Sequence, residues 1–293
     1  MDHADTILEQ LVEWANQQEL IRAAILTSSR AIPHASSDLF SDYDVIIVAR
    51  SIEPYYAYRT WLEDFGRVLA LYRDPLIDEG GLTRSAYVVQ YENGLKIDFN
   101  LWPIELLQRV ADSDQLPAEF DAGYRILLDK DQLAGSLKPP TYSAYIPTPP
   151  TEVEYLELIE GFFLDTTYVA KFLWRNDMMA AKHILDNSLK QLHLRPMLEW
   201  HAEIAHGWTL KPGPYGRNLK QHVRPDLWNE LESTYTGLGL DENWEALFLS
   251  VSLMRRVASE VANHLGFTYP RELEQRVVNY LRKVQHLDRN VAK

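Results

Sequence analysis

Five of the fifteen prolines in this 293-residue chain fall between Pro139 and Pro150. Proline fixes φ and has no N–H, so neither a helix interior nor a central strand runs through Lys138-Pro139-Pro140-Thr141-Tyr142-Ser143-Ala144-Tyr145-Ile146-Pro147-Thr148-Pro149-Pro150. The stretch reads as an extended linker or strap. It divides the chain into a first domain over residues 1–138, a linker over 139–151 and a second domain over 152–293. At about 150 residues per domain, the length suits two domains.

Patterning differs on the two sides. Before the linker, helix and strand signals alternate. Ile7, Leu8, Leu11, Val12 and Ala15 recur at helical spacing, Ala23–Leu26 and the β-branched Val45–Val48 read as strands, and Tyr58, Trp61, Leu62 and Phe65 suggest a helix. Ala86–Tyr91 and Lys96–Leu101 flank Asn93-Gly94, a hairpin signal. After the linker the stripes are helical: Val153, Leu156, Ile159, Phe162 and Phe163; then Ile184, Leu185, Leu189 and Leu192; then Leu247, Val251, Met254, Val257 and Val261. The fold class expected is α+β: a mixed twisted sheet flanked by helices, followed by a helical bundle with one long loop around residues 207–216.

Composition removes several kinds of function. There is no cysteine, which excludes a disulfide scaffold, a thiolate zinc site, an iron–sulfur cluster and a cysteine nucleophile. The 29 Lys and Arg against 42 Asp and Glu give a net charge of −13, carried mostly by the first half. That balance disfavours nucleic acid and suits a cationic partner. No apolar run nears the ~20 residues of a membrane span. The acidic start Met1-Asp2-His3-Ala4-Asp5 does not look like a signal peptide, so the expected location is cytoplasmic. The histidines form no metal-ligand spacing, and there is no glycine-rich dinucleotide or P-loop motif.

One stretch carries chemistry. The strand ending Leu26-Thr27-Ser28-Ser29-Arg30 leads through a loop to Ser41-Asp42-Tyr43-Asp44-Val45. In a strand, side chains i and i+2 share a face, so Asp42 and Asp44 point the same way. Two such carboxylates repel unless a cation sits between them. Mg2+ takes oxygen ligands and binds through one or two carboxylates plus substrate phosphates. Asp98, between Ile97 and Phe99, supplies a third carboxylate if its strand lies beside Val45–Val48, a geometry suited to phosphate chemistry. Ser28, Ser29 and Arg30 offer hydroxyls, backbone N–H groups and a fixed positive charge to a phosphate. Singly, an Asp-x-Asp pair is an ordinary turn or cap and Ser-Ser-Arg an ordinary helix start. Their order and spacing point to a site.

This order resembles the polymerase-β-like nucleotidyltransferase superfamily. Arg22–Arg30 with Asp38–Asp44, Lys96-Ile97-Asp98, Tyr168-Val169-Ala170-Lys171 and Asn243–Leu249 are similar to the streptomycin (aminoglycoside 6-) adenylyltransferases, over nearly the whole chain. The resemblance implies transfer of AMP from ATP to an aminoglycoside hydroxyl, with release of pyrophosphate and with Mg2+ as cofactor. It implies Asp42 and Asp44 as metal ligands, and Asp98 as a further ligand or as the base. Ser28, Ser29, Arg30, Lys171 and Arg217 become nucleotide contacts, with the site in a cleft closed by the helical domain. Glu160, Asp165, Tyr168, Trp174 and Glu199 become acceptor contacts. Three positions depart from the family pattern. Ser28 stands where glycine is expected, Gly161 where an acidic residue is expected, and Gly213-Pro214 where Gly-Lys is expected. The expected partners are a small cationic acceptor and a nucleoside triphosphate, with no nucleic acid, no membrane and a monomeric chain. Another acceptor (a lincosamide, a small metabolite or a protein hydroxyl) stays open, as does a non-catalytic relative that binds nucleotide or drug.

Overall fold

In the computed structural model, which describes residues 3–32, 38, 40–211 and 213–288, the run Val45–Val48 lies in strand β2 (Tyr43–Ala49) and all four side chains are buried. Residues 1–2, 33–37 and 289–293, with Leu39 and Pro212, lie outside the described residues. The chain forms two compact units, residues 1–145 and 146–293, and the division falls inside the proline-rich stretch.

The first unit is built on a mixed sheet. The elements are α1 (His3–Gln17), β1 (Ile21–Thr27), β2, α2 (Glu53–Ala57), β3 (Val68–Arg73), β4 (Ile77–Asp78), β5 (Thr83–Tyr91), β6 (Lys96–Pro103), α3 (Ile104–Asp112), α4 (Ala118–Asp121) and β7 (Tyr124–Asp129). The strand order is β3-β5-β6-β2-β1-β7, with β4 also on β5. β2 pairs antiparallel with β1 and parallel with β6. Alternation sends successive β2 residues to opposite faces. Val45 and Ile47 pack with Leu11 and Trp14 of α1 and with Phe99, while Ile46 and Val48 pack with Trp102, Leu106, Leu107 and Phe120.

The hairpin forms as its sequence dictates. Gly94 takes the positive φ of the turn (88°), and the Asn93 side chain accepts a hydrogen bond from the Leu95 N–H. The helix expected around Tyr58–Phe65 is replaced by the short α2 and a 3-10 turn over Thr60–Phe65, because Tyr58 between them is extended (φ −114°, ψ 121°). A 3-10 turn repeats every three residues, which still brings Leu62 and Phe65 to the core. The proline-rich strap, expected to be extended throughout, turns at Tyr142 and Tyr145, both at positive φ, and is tied to the first unit. Asp121 accepts hydrogen bonds from the Thr141 and Ala144 N–H groups and from the Thr141 hydroxyl.

The second unit is helical: α5 (Glu152–Arg175), α6 (Met178–Lys182), a π-helix (His183–Leu194), α7 (Arg195–Ala205), α8 (Leu219–His222), α9 (Pro225–Ser233), α10 (Leu240–Leu265) and α11 (Arg271–Gln285). α5 begins at a reciprocal cap between Thr151 and Glu154 and ends at Asn176, which takes the left-handed conformation. Tyr155, Ile159, Phe162, Phe163, Val169 and Leu173 face the core from α5, as Leu247, Val251, Met254, Val257 and Val261 do from α10. Two stripe residues do not follow. Val153 points out because helical rotation of about 100° per residue places it opposite the inward row. Leu192 points out because the i→i+5 turns of the π-helix change the period. No described helix is long and apolar enough to cross a membrane.

Candidate active site

The parallel pairing of β2 with β6 sets Asp44 directly opposite Asp98. By strand alternation both lie on the sheet face that carries Ile46, Val48 and Trp102, at the strand starts. Asp42, just ahead of β2, joins them through a shared partner. The Lys96 ammonium donates to Asp42 Oδ2 at 2.6 Å and to the two oxygens of Asp98 at 2.9 and 3.0 Å. Lys96 and Asp98 are i and i+2 on β6, so the strand itself aims both at one point.

The charges there are out of balance. Burial, then the negative charges of Asp98 and Asp42, pushes the Asp44 carboxyl above its ordinary range, although the Ser28 hydroxyl and the Lys96 charge oppose this. Burial also raises Asp98, with Asp42 and Asp74 adding to it and Lys96 opposing. Burial would lower Lys96, but its hydrogen bonds to Asp42 and Asp98 outweigh that and raise it. One ammonium among three carboxylates leaves this end of the strands short of positive charge.

Among the described residues, no set of three acidic or imidazole side chains is arranged to hold a metal ion as it stands. The donor chemistry nevertheless fits a hard divalent cation: Asp44 and Asp98 lie opposite each other on adjacent strands, and Lys96 ties Asp98 to Asp42.

The described residues at the two ends of the β1–β2 connection bond one another. Ser28 takes φ 63°, ψ −157° and hydrogen-bonds Asp44 through its hydroxyl. A 3-10 turn over Ser29–Ala31 follows. Arg30, expected at a phosphate, directs Nε to the carbonyls of Ser41 and Asp42 and Nη2 to those of Ser41 and Asp38. Its guanidinium lies 4.0 Å above the Tyr43 ring. In this state Arg30 shapes the loop that presents Asp42.

The remaining expected residues sit in the helical unit, in separate settings. Lys171 lies over the Tyr168 ring at 5.1 Å, one turn along α5. Asp165 is half-buried and bonds His193 at 3.1 Å. Glu160 is exposed and lines a cavity of about 770 Å³ with Phe267, Tyr269, Arg271 and Arg276. Trp174 donates its indole N–H to the Leu287 carbonyl, a structural use. Glu199 pairs with Arg195 at 2.8 Å, and burial raises its carboxyl despite that arginine. Glu203, one turn on, is buried, with the Leu210 N–H on one oxygen. Arg217 is exposed, and its side chain fills the space a Cβ on Gly213 would need. Gly161 has a similar reason: a Cβ there would meet the His193 ring at 2.8 Å.

The family profile described as Streptomycin adenylyltransferase matches residues 1–284. The chain belongs to that family. Its relatives include the aminoglycoside 6-adenylyltransferases of Bacillus subtilis (strain 168), 28% identical over 90% of this chain and 92% of that one, and of Campylobacter jejuni, 27% identical over 94% and 93%. A crystal structure of an aminoglycoside 6-adenyltransferase from Bacillus subtilis superposes with a TM-score of 0.48 at 24% identity, covering 98% of this chain and 100% of that one. Membership of the adenylyltransferase family rests on the profile match, not on the superposition. The period-2 rule places Lys96 on the face of Asp98, but nothing in the sequence brings Asp42, 54 positions away, within its reach.

Proposed function

We propose that this nucleotidyltransferase moves AMP from ATP to a hydroxyl of an aminoglycoside such as streptomycin, in a Mg2+-dependent reaction that releases pyrophosphate. The observation that carries the reading is Asp44 set opposite Asp98 across the β2–β6 pairing, with Asp42 tied to Asp98 by the Lys96 ammonium. The family match and its adenylyltransferase relatives support the reaction class.

Asp42 and Asp44, with Asp98 beside them, would hold Mg2+. Bound there, the cation would neutralise the charge that builds on the phosphates during transfer. Asp98, whose proton affinity burial raises, would accept the proton of the acceptor hydroxyl. The acceptor oxygen then bonds to the α-phosphorus, the bond from that phosphorus to the bridging oxygen breaks, and pyrophosphate leaves with the bonding pair. Ser28 holds Asp44 by its hydroxyl, and Arg30 fixes the carbonyl of Asp42. Ser29, Lys171 and Arg217 would contact the nucleotide. Glu160, Asp165, Tyr168 and Glu199 are the candidates for a cationic acceptor, whose charge suits carboxylates and aromatic faces.

The test is incubation with ATP, Mg2+ and a panel of aminoglycosides and lincosamides, read by pyrophosphate release and by acceptor mass. One AMP gained by streptomycin is the expected result. AMP on a lincosamide alone would replace the acceptor. Nucleotide binding with no change in any acceptor would replace the enzyme by a binding protein.

A further inference from the structure

We propose that Lys96 is an exchangeable counter-ion of the aspartate centre. Its ammonium holds the carboxylates together in the metal-free protein, competes with the divalent cation for the same oxygens, and so sets the affinity for that cation. The proposal rests on the reading of Asp42, Asp44 and Asp98 as metal ligands.

The bonding is specific. An ammonium has three N–H donors and no acceptor. Here Lys96 has three acceptors in reach: Asp42 Oδ2, Asp98 Oδ1 and Asp98 Oδ2. These are oxygens that a hard cation would take from the same two side chains. Both carboxylates are partly open, 39% and 22% exposed, and the lysine is 27% exposed, so the group is reachable from solvent. The bridge also spans two strands and a loop. Asp42 precedes β2, while Lys96 and Asp98 sit on β6, and the pairing brings the three together across 54 positions of sequence.

Two consequences have the same sign. The ammonium repels any cation brought close to it, and it blocks the oxygens that the cation needs. The metal-free protein without Lys96 keeps three mutually repelling carboxylates, which a divalent cation relieves. The lysine carries its charge on a flexible four-carbon stem, so it can leave the bridge without moving β6. Departure would leave the ammonium at the edge of the centre, where a phosphate of the nucleotide could take it.

The test uses Mn2+ as the probe, bound to the full-length protein without nucleotide and read by calorimetry and by the electron paramagnetic resonance of free Mn2+. Wild type, Lys96→Met and Asp42→Asn are compared, with circular dichroism to establish folding. The expected result is Mn2+ binding by wild type, about fivefold or more tighter binding by Lys96→Met, and lost or much weaker binding by Asp42→Asn. Equal or weaker binding by a folded Lys96→Met variant overturns the counter-ion role and leaves the metal-site reading standing. Absence of Mn2+ binding in both wild type and Lys96→Met overturns the two together. A measurement on wild type alone covers a variant that does not fold. Labelling of the Lys96 amine, followed by peptide mass spectrometry, is expected to accelerate with saturating Mn2+. An unchanged or slower rate overturns the exchange.

Discussion

Replacing Ser28 by glycine and, separately, by alanine separates two opposed contributions of one residue. Ser28 occupies φ 63°, ψ −157°, a region open essentially to glycine, and a residue held there costs about 1–3 kcal/mol. Its hydroxyl, in return, hydrogen-bonds the Asp44 carboxylate. Ser28 is exposed, so water can replace the hydroxyl, and the bond contributes only about 1 kcal/mol. Ser28→Ala keeps the strain and loses the bond, which destabilises by about 1 kcal/mol. Ser28→Gly loses the bond and the strain together, and adds about 0.5–1 kcal/mol of unfolded-chain entropy. The glycine variant is therefore expected to be more stable than the alanine variant by about 1.5 kcal/mol. For a unit of this size, that is about 5 °C in melting temperature. The assay is thermal and urea unfolding of wild type and both variants, followed by tryptophan fluorescence, alongside turnover. An alanine variant as stable as the glycine variant, or more so, refutes the strain. Glycine turnover equal to wild type refutes the role of the hydroxyl at Asp44.

Asp44→Asn is expected to abolish AMP transfer and yet to raise the melting temperature at neutral pH. Burial and the neighbouring carboxylates raise this group in the fold, so the stability it contributes is present below its ordinary value of 3.8 and is lost as pH rises through the raised value. A lower melting temperature for a folded Asp44→Asn variant would contradict that sign. Asp98→Asn is expected to lower kcat with little change in KM for the acceptor; a change confined to KM would remove Asp98 as the base. Asp226 runs the other way, held well below 3.8 first by its bond from Arg224 and then by Arg256, so its contribution is present above 3.8 and is lost as pH falls through the depressed value. Melting of the helical unit in wild type should therefore fall more steeply below about pH 4 than in Asp226→Asn, and equal slopes would show that the pair contributes nothing. Gly161→Ala brings a Cβ to 2.8 Å from His193 and is expected to destabilise by about 1–3 kcal/mol in a denaturation curve, with a neutral result meaning that the ring moves aside freely.

Much of the framework is readable from periodicity. The β-branched run of β2, the Asn93-Gly94 hairpin and the inward row of α10 each follow from the two-residue or 3.6-residue repeat. What periodicity does not contain is which strands meet. The placing of Asp98 opposite Asp44 depends on β6 passing beside β2 in parallel, after an excursion through α2, β3 and β5. The same limit hides Lys96, whose partner Asp42 lies 54 positions away. Arg30 reads as a phosphate ligand because a guanidinium suits one, yet the carbonyls of Ser41 and Asp42 and the Tyr43 ring take it here. The π-helix escapes for a different reason, since its repeat matches neither template and Leu192 turns outward.

The carboxylates sort into two kinds by the direction in which their surroundings push them, and that division locates the site better than residue type does. In the helical unit Asp226 lies between Arg224 and Arg256, and His201 with Arg224 holds Glu260 low in spite of burial. These charges are matched, and their arrangement serves the fold. In the first unit Asp44 and Asp98 are held high even though Lys96 bonds one and acts on the other. A fold with no further use for three carboxylates at this end of the strands would lose the repulsion by a single Asp to Asn change at little structural cost. The same holds for Ser28, which stands in a conformation that glycine would occupy without strain. Two independent departures from local stability, one electrostatic and one in the backbone, meet at Asp44. Strained backbone and unmatched charge concentrate where a protein must hold groups in readiness for a ligand, and the unmatched charge is relieved here by the arrival of positive charge beside Asp44.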